Sequence, residues 1–159
     1  MNADIEKEYG PFMSAALEQA GRAEALGDVP VGAVIVRNGR ILAAAHNRRI
    51  VDADPTAHAE MLAIRQAAGE LGDWRLAGCT IVVTLEPCCM CAGAIVLARL
   101  DRLVYGAADP KAGAAETLYR LCDDGRLNHR LQVVGGLLAE PCSELLSNFF
   151  RTRRDMGKK

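Results

Sequence analysis

An Asn38-Gly39 pair divides two runs that read as strands, Val31 to Val36 and Ile41 to Ala45. Asn-Gly accepts the positive φ angles of a two-residue hairpin turn, so the two runs are expected to pair antiparallel. After the hairpin the pattern alternates. Asp54-Pro55-Thr56 supplies helix-start chemistry for His58 to Leu71, and Cys79 to Leu85 reads as a strand ended by Glu86-Pro87. Cys89 to Ala98 reads as a helix, Arg102 to Tyr105 as a strand, Ala114 to Cys122 as a helix and Arg130 to Val134 as a fifth strand. Ahead of the hairpin, Phe12, Ala15, Ala16, Ala20, Ala23 and Leu26 recur near helical spacing, with Pro11 at a first-turn position. A final helix covers Pro141 to Arg153, with Leu145, Leu146, Phe149 and Phe150 on one face. A hairpin followed by strand–helix alternation predicts an α/β protein: a three-layer α/β/α sandwich around a central five-stranded mixed sheet.

The 159 residues suit one domain, 1–159, and no repeat or linker-like stretch divides them. A chain of this length buries roughly 68–70% of its extended surface and needs no disulfide staples. The apolar runs are far shorter than the ~20 residues of a membrane-spanning helix. Met1 to Glu8 is acidic and polar, unlike a secretory signal or a basic transit peptide. A cytoplasmic protein with no membrane partner is expected. The net charge of −1 argues against a general nucleic-acid binder, but its distribution is uneven. Residues 1–30 carry six acids and two bases, whereas the last nine carry five bases and one acid. That basic tail is either a phosphate contact or a solvated helix end.

Of the six cysteines, Cys79, Cys122 and Cys142 stand alone in apolar surroundings and read as core fillers. The others cluster in Pro87-Cys88-Cys89-Met90-Cys91, and a second segment, His58-Ala59-Glu60, is placed in the same way. Each opens a helix directly after extended chain. Cys88 and Cys91 are three apart and share a helix face. Residues of a first turn also converge on a point beyond the helix end. Two helix starts facing each other would bring His58, Cys88 and Cys91 together as three zinc ligands. The helix N-termini favour the thiolate that zinc requires. Three protein ligands leave a fourth position for water, the mark of a catalytic zinc, and zinc lowers the pKa of that water to about 7. Glu60 would then be a proton carrier beside the metal. Two other readings of Cys-x-x-Cys are a redox pair and a structural Cys3His site that uses Cys89. The first has no need of a partnered His-x-Glu, and the second requires adjacent helical residues to point the same way.

These segments form the signature of the zinc nucleobase deaminases. From about Met13 to Arg154 the chain resembles the bacterial tRNA-specific adenosine deaminases, within the cytidine/deoxycytidylate deaminase superfamily. The resemblance runs through Val29-Pro30-Val31-Gly32-Ala33-Val34, His46-Asn47-Arg48, Pro55-Thr56-Ala57-His58-Ala59-Glu60 and Trp74-Arg75-Leu76. It continues in Thr84-Leu85-Glu86-Pro87-Cys88, Met90-Cys91-Ala92-Gly93-Ala94, Tyr105-Gly106-Ala107, Asn128-His129-Arg130 and Phe149-Phe150-Arg151. It implies a cytidine-deaminase-like fold, one Zn2+ per subunit, a homodimer, and conversion of the wobble adenosine in a tRNA anticodon loop to inosine. By position it also implies a base-binding Asn47, a pocket-lining Val31, and Asp109, Lys111 and Asn128 against the anticodon loop. The chain departs from related sequences at Ala108, where a charge is common, and at Glu116, where a small residue is common.

The second group of residues has ordinary readings too. Asn47 and Asp109-Pro110 fit turns, and Lys111 fits a solvated charge. Glu86 fits a structural carboxylate paired with a base, and Trp74 fits packing. Leu118, Tyr119, Leu145 and Phe149 fit either core or interface. Two further functions compete with tRNA deamination. A deaminase of a free base or nucleoside, of the guanine or cytosine type, would share the zinc site without needing the basic tail. A zinc-stabilised binding module would need four protein ligands and would have no use for Glu60.

Overall fold

Asn38 and Gly39 both take positive φ, 52° and 73°, and turn the chain between β1 (Gly32–Arg37) and β2 (Arg40–His46). This is the expected hairpin. The computed structural model describes residues 1–158. Its remaining elements are α1 (Ala3–Ala25), α2 (Ala59–Leu71), β3 (Thr80–Leu85), α3 (Cys89–Leu97), β4 (Arg102–Ala107), a 3-10 turn at Leu121–Asp123, β5 (Gln132–Gly135) and α4 (Ala139–Asp155). The strand order is β2-β1-β3-β4-β5. β1 runs antiparallel to both β2 and β3, and β3, β4 and β5 run parallel, so the sheet is mixed as expected.

Side chains alternate across the sheet into two cores. Ala33, Ile35, Ile81, Val83 and Leu103 pack with Ala63 and Ala67 of α2 and Ile95 of α3. Val34, Val36, Val82 and Val104 pack on the other face with Met13 and Ala16 of α1 and Cys142 of α4. Strands covered on both faces are continuous apolar runs, which is how β1 and β3 read. Cys79, Cys122 and Cys142 are buried fillers. α1 lies so close to β1 that a Cβ on Gly32 would stand 1.9 Å from the carbonyl oxygen of Ala16.

The strand directions gather the site. β1 begins at the end of the sheet where β2, β3 and β4 finish, because Gly32 pairs with His46, Ala33 with Val83 and Leu85 with Ala107. The segments around Val31, Asn47, Cys88 and Asp109 therefore leave the sheet at one edge, the end where α/β proteins bind ligands.

Two expectations are corrected. α1 starts at Ala3, and Pro11 lies inside it rather than in its first turn. Asn2 caps the helix by accepting the Asp4 N–H at 2.8 Å, with Asp4 and Glu6 in the first turn. An interior proline costs about 3 kcal/mol. Burial of Tyr9, Met13, Ala16 and Ala20 on the sheet offsets that cost, at ~1.5–3 kcal/mol for a large apolar side chain. The second correction is at Ala114 to Cys122, which is not a helix. It is a run of turns ending in the 3-10 turn: the N–H groups of Leu118 and Tyr119 both go to the Gly113 carbonyl and that of Leu121 to the Ala114 carbonyl, spans too long for the four-residue ladder of an α-helix.

Candidate active site

His58 is the N-cap of α2 and Cys88 the N-cap of α3, both in extended backbone, and neither side chain caps its own helix. Both side chains are thus left to face a common point. His58 Nδ1 lies 3.7 Å from Cys88 Sγ and 3.5 Å from Cys91 Sγ, and the three ligand atoms all lie within 4.8 Å of one another. Tetrahedral zinc, with bonds of about 2.0–2.1 Å to nitrogen and about 2.3 Å to sulfur, separates those atoms by about 3.6 Å. The donor set and its spacing therefore fit zinc. Among the described residues, Glu60 and Cys89 are not part of this group, and Cys89 is exposed. The Cys3His reading fails on that geometry.

Without metal, the trio shares protons unevenly. A hydrogen bond from the Cys91 thiol, opposed by burial and helped by His58, holds the Cys88 thiol down at about 3. The Cys91 thiol is pushed up, because it is the donor to Cys88 and is itself buried. The same contact with Cys88 raises His58. Glu60, in the first turn of α2, is only 4% exposed, and burial pushes its carboxyl up.

These groups open onto a cavity of about 530 Å³, a size suited to a small ligand or a single base. Val31, Asn47, His58, Glu60, Cys88, Asp109 and Lys111 all line it. Cys91 is fully buried behind it. Asn128 is exposed and does not line it. Asn47 is 5% exposed, and its Oδ1 accepts the Ala59 N–H at 3.2 Å. It is thus the side-chain cap that His58 does not provide for α2.

Two contributors were missed in the sequence. Arg49 lines the cavity two residues after Asn47. Leu146, Ser147 and Phe150 bring α4 to the same wall, while Phe149 is buried in edge-on contact with Phe150, ring centroids 5.4 Å apart. Reading Phe149 and Phe150 as one face hid this: adjacent helical positions lie about 100° apart, and here one turns to the core and the other to the cavity. Glu86, 2% exposed, is the structural carboxylate expected of it, but among the described residues it pairs with no base. Its carboxylate accepts N–H groups from Asp109, Ala115, Glu116 and Thr117 and the hydroxyl of Thr117. Burial pushes its carboxyl up, but these hydrogen bonds outweigh burial and hold it below the usual range.

Other expectations are redrawn. Trp74 is exposed rather than packed, with the guanidinium of Arg75 over its ring at 4.3 Å. Leu118 and Tyr119 are exposed, Leu145 is half-buried and Phe149 is core. Glu116 accepts the Tyr105 hydroxyl at 2.8 Å. In the basic tail, Arg151 contacts Asn148 and Arg153 donates to the Gly27 carbonyl at 3.3 Å. Among the described residues, no helix is long and apolar enough to cross a membrane.

Residues 6–107 match the family model for the cytidine and deoxycytidylate deaminase zinc-binding region. The chain is 51% identical over 147 residues to a tRNA-specific adenosine deaminase of Bacillus subtilis, covering 92% of this chain and 91% of that protein. The chain belongs to the tRNA-specific adenosine deaminase family. A second member of this deaminase family, from Haemophilus influenzae, is 51% identical over 158 residues, 98% of this chain and 91% of its own. A solved tRNA:A34 deaminase, studied for A-to-I editing at the wobble position, superposes with a TM-score of 0.83 at 45% identity, covering 86% of this chain and 99% of that one. A guanine deaminase of Nitrosomonas europaea shares the fold at a TM-score of 0.75 and 26% identity, over 86% of this chain and 81% of that one.

Proposed function

We propose that this protein hydrolyses the wobble adenosine of a tRNA anticodon loop to inosine, releasing ammonia. The carrying observation is a trio of ligands at tetrahedral zinc spacing with the buried carboxyl of Glu60 in the same cavity and outside the ligand set. The substrate assignment follows the named relatives, at 51% identity over most of the chain.

His58, Cys88 and Cys91 would hold the ion, and zinc held there supplies a Lewis acid that makes water a nucleophile near neutral pH. Glu60 takes a proton from the attacking water and delivers it to ring N1 of adenine. The water oxygen bonds to C6; Glu60 then takes the second proton from the resulting C6 hydroxyl and passes it to the amine, so that the C6–N bond breaks, C6=O forms and ammonia leaves. A carboxyl whose proton affinity is raised by burial suits both transfers. Asn47 has its Oδ1 committed to Ala59, so its amide N–H groups remain to donate to the base. Val31 offers an apolar surface to the ring. The base must leave its stack to enter, which costs a few kcal/mol and least in a loop. Asp109, Lys111 and Arg49, on the same cavity, would meet the flanking nucleotides. Asn128, exposed outside it, would meet RNA farther along the loop.

The exposed apolar residues Leu97, Leu118 and Tyr119 support a homodimer, and a tRNA substrate supports a cytoplasmic location. Deamination of a free base or nucleoside would use the same metal and the same Glu60. The discriminating experiment incubates the zinc-loaded protein with an anticodon stem-loop carrying a wobble adenosine, and separately with adenosine, cytidine and guanine. Inosine in the RNA with little product from the free compounds is expected. Faster turnover of a free compound overturns the tRNA assignment.

A further inference from the structure

One wall of the cavity, residues 108–112, hangs from a carboxylate that the chemistry does not use. Asp109 organises this turn: its Oδ1 accepts the N–H groups of Lys111 at 2.9 Å and Ala112 at 3.2 Å, and its carbonyl accepts the Gly113 N–H at 3.0 Å. The turn has no regular secondary structure to hold it. It is fastened to the end of β3 through Glu86. Oε1 of Glu86 accepts the Asp109 N–H at 3.1 Å and the Thr117 hydroxyl, and Oε2 accepts the N–H groups of Ala115, Glu116 and Thr117 at 3.2, 2.9 and 2.9 Å. Gly113 makes the approach possible, since a Cβ there would stand 2.4 Å from the carboxyl carbon of Glu86.

We propose that Glu86 is a positioning residue that sets the 109–117 wall and, through it, the fit of RNA around the reacting adenosine. The inference rests on the tRNA reading above for its substrate, but not for the clamp itself. His58, Glu60 and Cys91 lie on α2 and α3 rather than on this wall, so the wall governs binding more than the chemical step. Five donors converge on two oxygens, which only a carboxylate satisfies. A glutamine in its place has one oxygen. Turned to keep the three N–H groups of 115–117, its NH2 faces the Asp109 N–H, donor against donor. The end of the clamp nearest the substrate is the end that opens.

The test uses zinc-loaded Glu86→Gln and Thr117→Val, with Thr117→Ser as the conservative control, on an anticodon stem-loop. Losing one charge-assisted hydrogen bond should raise KM for the RNA about tenfold in Glu86→Gln, with kcat within about threefold and zinc content unchanged. Trypsin should cut after Lys111 about tenfold faster. Thr117→Val should shift both readouts in the same direction by less, and Thr117→Ser should behave as wild type. Unchanged KM and unchanged cleavage in Glu86→Gln overturn the proposal, and so does a loss of zinc with KM unchanged, which would put Glu86 in the service of Cys88. If Glu86→Gln does not fold, Thr117→Val decides: slower cleavage or a wild-type KM overturns the clamp. If the wild-type protein makes no inosine in RNA, the substrate reading fails while the trypsin comparison still judges the clamp.

Discussion

The side-chain oxygen of Asn47, at the end of β2, accepts the first N–H of α2, that of Ala59, at 3.2 Å. One end of this amide caps the helix that carries Glu60, and in the proposed function the other, its NH2, donates to the base. The two roles separate by substitution. Asn47→Asp keeps an acceptor beside a helix N-terminus and loses the donor. Thermal stability near wild type with strongly reduced activity is expected. Asn47→Ala should lose activity and also about 1 kcal/mol of stability. Equal melting temperatures for the two variants would show that the cap contributes nothing.

Metal uptake should depend on pH in steps. Zinc needs a neutral His58 and two thiolates. Cys88 is already a thiolate, being held at about 3, while Cys91 keeps its proton and His58 is raised above its ordinary value near 6.5. Binding to the metal-free protein should release about one proton at alkaline pH and about two once pH falls through the raised His58 value. Affinity therefore falls as pH is lowered, and more steeply on the acid side. Competition with a chromogenic chelator across pH, with proton release followed in weak buffer, checks this. A flat profile contradicts it.

Gly32→Ala should destabilise the fold severely. The added methyl meets the Ala16 carbonyl at 1.9 Å and the Ala20 nitrogen at 2.6 Å, both backbone atoms of α1. Relief requires moving a 23-residue helix off the sheet, and overpacking of this kind costs roughly 1–3 kcal/mol or more. Denaturant unfolding of zinc-loaded protein measures it, and a midpoint equal to wild type contradicts the close packing of α1 on β1.

Asp28 offers a parallel for the segment between Asn47 and His58. It is fully buried, and its carboxylate accepts the N–H groups of Val29 at 2.9 Å and of Ile50 and Val51 at 2.8 and 3.3 Å. It thereby fixes the turn between Asn47 and His58. Asp28→Asn sets an NH2 against backbone donors, so a loss of about 1–3 kcal/mol is expected by thermal or chemical unfolding. An unchanged midpoint would remove Asp28 from this account.

Much of this architecture was legible in the residues. The Asn38-Gly39 turn, the continuous apolar strands and the two motif-bearing helix starts follow from local chemistry, and they suffice to bring His58, Cys88 and Cys91 together. What was not legible depends on distant partners. Nothing local in Ala114 to Cys122 forbids a helix; its path is set by distant anchors, the Pro87 carbonyl on the Ala114 N–H and the Glu86 carboxylate on the N–H groups of 115–117, some thirty residues earlier. Pro11 argued for a helix start, and only packing against the sheet explains why the helix runs through it. The approach of α4 to the cavity likewise depends on how the last helix crosses β4, which its own periodicity does not state.

The proposed chemistry needs the Glu60 carboxyl beside the metal but not bound to it. Purified wild type and Glu60→Ala should therefore be compared for zinc content and for inosine formation in an anticodon stem-loop. One zinc per chain in both proteins, with inosine formed only by the wild type, is the predicted result. Zinc lost from the variant would make Glu60 a ligand, and near-normal inosine from the variant would leave it no part in the chemistry; either contradicts the account.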